Sequence, residues 1–77
     1  MSVLGQTAEF EKSFHQGTEA MKAGHWDDAS AAFGKATALM PTSAKAYFNL
    51  GLAQFQLAHF DDALLAFKRP TLSQSAR

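Results

Sequence analysis

The stretch GHWDDASAAF at residues 24–33 returns as AHFDDALLAF at residues 58–67, an offset of 34 residues in a chain of 77. Extending the register lays residues 10–36 over residues 44–70 and yields eight identities: Phe14/Phe48, Gly17/Gly51, His25/His59, Asp27/Asp61, Asp28/Asp62, Ala29/Ala63, Ala32/Ala66 and Phe33/Phe67. Six of the eight fall within nine consecutive positions, and Trp26/Phe60 and Lys35/Arg69 are conservative matches in the same frame. Chance similarity in an alanine-rich chain does not cluster Asp-Asp-Ala and Phe this tightly, so the chain reads as an internal repeat.

Each copy reads as two helices. Thr7 is a suitable N-cap, and Phe10, Phe14, Gly17 and Met21 follow at spacings of three and four, which places them on one helical face. Gly24, tolerant of positive φ, is expected to end that helix near Ala23. Asp27 is expected to cap the next helix, with Asp28 in its first turn, where the macrodipole favours a carboxylate. Ala29, Phe33, Ala36 and Met40 form the buried stripe of that helix, and Pro41 closes it. In the second copy Ser43 caps a helix carrying Tyr47, Leu50, Gly51, Phe55 and Ala58; Asp61 then caps a helix whose Ala63 and Phe67 face inward. Turns this short join antiparallel neighbours, and small residues at Gly17, Gly51, Ala29 and Ala63 let those neighbours approach closely.

Composition narrows the function classes. Lys plus Arg and Asp plus Glu each number 7, so no basic field exists to hold a phosphate backbone, and nucleic-acid binding is not expected. The chain has no cysteine, hence no disulfide, and its 47% apolar content is spread rather than collected into a membrane span or a leader peptide. A cytoplasmic protein without membrane insertion is the expectation.

The histidines and paired aspartates are the only residues that suggest site chemistry. His25 and His59 occupy equivalent turns one repeat apart, on the order of 10 Å in a stack of helix pairs, whereas one metal ion needs ligands at about 2 Å. His15 lies on a different face. Within each Asp-Asp pair, adjacent side chains on a helix point about 100° apart, which suits capping and dipole compensation better than acid–base work. No glycine-rich phosphate loop and no nucleophile–base set at usable spacing is present. We therefore expect no enzyme activity, no cofactor and no metal site.

With these motifs in hand, the chain resembles the tetratricopeptide repeat, whose period is 34 residues and whose pattern runs W-x2-L-G-x2-Y, then A-x3-F, then P. The second copy carries Tyr47-x2-Leu50-Gly51-x2-Gln54 and Ala63-x3-Phe67; the first carries Gly17, Ala29-x3-Phe33, Ala36 and Pro41. The resemblance covers residues 10–69. It implies an all-α fold of antiparallel helix-turn-helix repeats, a fragment of an α-solenoid with about four helices, in a single domain over residues 1–77. Repeat 1 spans residues 10–43 and an incomplete repeat 2 spans 44–69. Pro70 replaces the buried Ala36 of the first copy, so the last helix is expected to stop near Lys68, leaving residues 70–77 as a disordered tail.

In this family the first helices of successive repeats line a concave groove for peptides or helices of partner proteins. The resemblance carries that role onto Phe14, Thr18, Met21 and Lys22, and onto Lys45, Phe48, Asn49, Leu52 and Gln56. Members that clamp a C-terminal carboxylate use a Lys and two Asn, of which only Asn49 has a counterpart here. A repeat array does not bury its last face alone, so the chain is expected to be a truncated array. Leu57, Phe60, Leu64 and Phe67 are then expected to be covered by a second copy, as a docked or helix-swapped dimer. Groove binding of a protein or peptide is the first functional expectation; a self-assembly unit with no foreign ligand is the alternative.

Overall fold

The turn that the repeated phrase encodes is built from backbone bonds. In the computed structural model, which describes the backbone of residues 3–75 and the side chains of residues 5–69, the Gly24 amide donates to the Met21 carbonyl (3.0 Å) and the His25 amide to that of Ala20 (2.9 Å). The second copy repeats this with Ala58 to Phe55 and His59 to Gln54, both at 2.9 Å. This crossed pair is the Schellman closure, and it needs a left-handed residue at its centre. Gly24 supplies it with φ 79°, and Ala58 with φ 65°.

Four helices result: α1 (Val3–Lys22), α2 (Trp26–Leu39), α3 (Ala44–Gln56) and α4 (Phe60–Ser75). Each packs on its neighbours in the chain, α1 on α2, α2 on α3 and α3 on α4. Tyr47 and Leu50 of α3 share a cleft with Thr37 and Ala38 at the end of α2, while Leu57 lies with Trp26 at its start, so α3 runs antiparallel to α2.

Five boundaries differ from the sequence expectation. α1 begins at Val3 rather than at Thr7, because nothing in Val3, Leu4, Gly5 and Gln6 forbids helix and Thr7 sits inside it. Asp27 and Asp61 are not caps: the Schellman closures leave His25 and His59 as the last non-helical residues, and His25 makes no side-chain cap bond. Both aspartates therefore lie one position inside their helices, and with Asp28 and Asp62 they put negative charge in the first turns. Met40 follows α2 as its C-cap instead of ending its stripe. Finally, α4 continues past Lys68 and through Pro70 to Ser75, in place of a tail beginning at residue 70. Proline removes one backbone bond, here to the Ala66 carbonyl, and can bend a helix without expelling the residues beyond it. Residues 76 and 77 of the expected tail lie outside the described residues. Ser43, by contrast, caps α3 as its sequence position suggests, accepting from the Ala46 amide at 3.1 Å.

The core is one packing unit used twice. Phe33 is fully buried with Ala29 and Ala53, and meets Phe14 edge-to-face at 5.2 Å between centroids. One repeat later Phe67 meets Phe48 at 5.7 Å. Each inner ring lies against a glycine of the preceding helix: a Cβ on Gly17 would stand 2.8 Å from three carbons of Phe33, and one on Gly51 would collide with Phe67. Phe14 is half-buried while Phe48 is 55% exposed, because Phe10 and Lys45 flank Phe14 and the smaller Ala44 stands in Phe10's place beside Phe48.

Ala58 gives this fold a local strain that its counterpart lacks. A left-handed conformation costs a non-glycine residue roughly 1–2 kcal/mol, offset in part by the greater freedom of glycine in the unfolded chain. Ala58→Gly is therefore expected to stabilise the protein by about 0.5–1 kcal/mol, read as a rise of several degrees in the thermal midpoint. Gly24→Ala is expected to lower it, although a Cβ there meets nothing within 4 Å.

Candidate functional site

Two surfaces stand out, one at the α1–α3 side and one at the open end of the array. The first is a cleft of about 440 Å³ between α1 and the start of α3. Phe10 and Phe14, one turn apart on α1 with rings 5.8 Å apart, form its apolar part. Thr18 follows a turn later, its hydroxyl donating to the Phe14 carbonyl at 3.0 Å. Lys22 and Lys45 bring positive charge to the rim from the two helices, and Glu11 and Glu19 of α1 bring negative charge to it. The Lys45 ammonium lies 5.5 Å from the centre of the Phe14 ring, a cation–π contact that ties the repeats together across the cleft. Lys22 reaches Glu19 at 3.4 Å, an exposed pair of small energetic weight.

Of the residues expected to bind a partner, Phe14, Thr18, Lys22 and Lys45 therefore share this cleft. Met21 does not: it packs against the Ala29, Phe33 and Ala53 cluster. Phe48 and Gln56 are exposed and Asn49 and Leu52 half-buried along α3, outside the cleft. Glu11, His15, Glu19, Ser43 and Phe10 line it without having been anticipated. The signal for the first two was present in the sequence, since residues 11, 15, 18 and 22 form one helical stripe.

The second surface is an apolar cleft of about 310 Å³ between α3 and α4, lined by Phe55, Phe60, Asp61, Ala63, Leu64 and Phe67. Phe60 is 56% exposed, Leu64 54% and Phe55 54%, with Phe55 and Phe60 edge-to-face at 5.2 Å. Three of the four residues expected at a self-association face, Phe60, Leu64 and Phe67, meet here. Leu57 does not. It lies four residues beyond Ala53 on the same stripe and lines a hollow with Trp26 and Asp27 at the first turn. Phe55 takes its place at the open end; eight residues beyond the buried Tyr47, it is rotated by about 80° from it around α3.

No helix of the described residues is long and apolar enough to cross a membrane. The family model of the tetratricopeptide repeat matches residues 14–76. No curated protein and no solved structure matches the chain.

Proposed function

From the chain's place in the tetratricopeptide repeat family, to which it belongs, we propose that it binds a peptide or helix of a partner protein along the α1–α3 cleft. The family supports a protein–protein interaction module in general; the site is our reading. It rests on one observation: apolar rings and two exposed lysines from different repeats converge on one cleft of about 440 Å³. Phe10 and Phe14 would receive an apolar anchor, and Lys22 and Lys45 would set its register against carbonyl or carboxylate groups. Phe48, Asn49 and Leu52 would extend the contact along α3.

A peptide selected from a displayed random library on the folded chain provides the test. Lys45→Ala combined with Phe48→Ala alters only exposed side chains. The pair is expected to weaken that peptide by at least about tenfold in calorimetric titration, with helical content and sedimentation unchanged. Equal affinity for both proteins would show that the peptide binds elsewhere.

A further inference from the structure

The α1–α3 cleft is lined by four charged side chains, and two of them answer each other: the Lys22 ammonium reaches the Glu19 carboxylate at 3.4 Å. The other two, Glu11 and Lys45, are exposed, and neither meets an opposite charge within 4 Å among the described residues. They hold the same position in successive repeats, 34 residues apart. An acid on α1 is thereby followed by a base on α3, on the order of 10 Å away in a stack of helix pairs. The rings of Phe10 and Phe14 form the apolar part of the same cleft. Lys45 leans over Phe14 with its ammonium 5.5 Å from the ring centre, a contact that keeps the cation on the cleft although no carboxylate holds it there. His15, one turn beyond Glu11, is the remaining titratable group of the lining and also comes from α1.

A ligand that crosses from α1 to α3 therefore meets a free carboxylate on one side, aromatic rings, and a free ammonium on the other. A uniformly acidic segment would set like charge against Glu11, and a uniformly basic one against Lys45. An extended chain advances about 3.3–3.6 Å per residue, so about three residues bridge the two charges. We propose that the cleft selects a dipolar segment of a partner protein, with one basic and one acidic residue three positions apart and apolar residues between them. The basic residue pairs with Glu11, the apolar residues rest on Phe10 and Phe14, and the acidic residue pairs with Lys45. The assignment rests on the reading that the α1–α3 cleft is the binding site, and it adds the chemistry of what binds there.

Four end-blocked peptides with a central Leu-Phe are the probes, flanked by Lys and Glu, by two Lys, by two Glu or by two Gln. Each is titrated into the full chain and followed by amide proton–nitrogen NMR shifts. The Lys/Glu peptide is expected to move the amides of the cleft residues in α1 and at the start of α3. It should bind about three- to tenfold more tightly than the other three, a margin that closes in about 0.5 M salt. Lys45→Glu should turn the preference to the two-Lys peptide, and Glu11→Lys to the two-Glu peptide; both positions are exposed, and a loss of folding produces neither reversal. Equal affinity for all four peptides, with shifts confined to the cleft, overturns the dipolar assignment and leaves the cleft as the binding site. A like-charged peptide that binds the unaltered chain most tightly, or a preference indifferent to both substitutions, overturns it as well. No cleft shift from any of the four at up to about 5 mM peptide also overturns it, and the peptide selected from the displayed library then decides separately whether the cleft binds at all.

Discussion

Phe33→Ala is expected to abolish cooperative folding. Phe33 is fully buried, stacks edge-to-face on Phe14, and lies against Gly17 between α1, α2 and α3. Truncating such a ring costs about 3–5 kcal/mol, and a chain of this size is stabilised by about 3–5 kcal/mol in total. The two figures meet, so the variant should show no native baseline in urea when followed by circular dichroism at 25 °C. Phe67→Ala, at the equivalent but half-buried position, should keep a transition at lower urea. Because about 1 kcal/mol moves the thermal midpoint by about 4–8 °C here, a fall of less than about 5 °C for Phe33→Ala would mean that the core does not hinge on this ring.

The second large effect lies on the other side of the same contact. Helix propensity alone favours replacing a mid-helix glycine, by up to about 1 kcal/mol. At Gly17 packing reverses the sign: the added Cβ stands 2.8 Å from three carbons of a ring that is buried on all sides and has nowhere to move. Gly17→Leu is expected to destabilise by about 1–3 kcal/mol. Gly51→Leu meets Phe67, which borders the open apolar cleft and can turn into it, so its cost should be smaller. Gly34, in α2, has nothing within 4 Å of where its Cβ would go, and Gly34→Ala should stabilise the protein. Urea titrations of the three variants check the order; Gly17→Leu at or above the stability of Gly34→Ala would contradict the packing account.

These contacts also show why some of the molecule was legible in its sequence and some was not. The 34-residue echo, the glycine and alanine positions and the apolar spacings gave the number of helices, their antiparallel order and the positions of close approach, because all of these follow from local periodicity and steric size, while the pairing of Phe33 with Gly17 and of Phe67 with Gly51 came from the packing. The cap assignments at Asp27 and Asp61 went astray because a carboxylate two residues into a helix and one at its cap have the same local sequence. The backbone closure over Gly24 and Ala58 decided between them. Helix through Pro70 was likewise beyond a local rule, since a proline weighs one lost bond against the rest of α4.

The surfaces divide in the same way. That Phe14, Thr18, Lys22 and Lys45 belong together was available from the family pattern, since α1 and α3 are equivalent helices. That His15 and Glu11 join them follows from the helical stripe they share with Thr18 and Lys22, whereas how deeply Met21 packs into the core depends on how far α1 rotates against α2. Leu57 and Phe55 are the sharpest case. They are two residues apart with Gln56 between them, and composition does not say which is covered. Only the docking of α3 on α2 separates them, laying Leu57 against the first turn and leaving Phe55 beside Phe60 in the open. Periodicity along one chain sets what repeats, while burial depends on which neighbour arrives on each face, and that is a property of the packed helices alone.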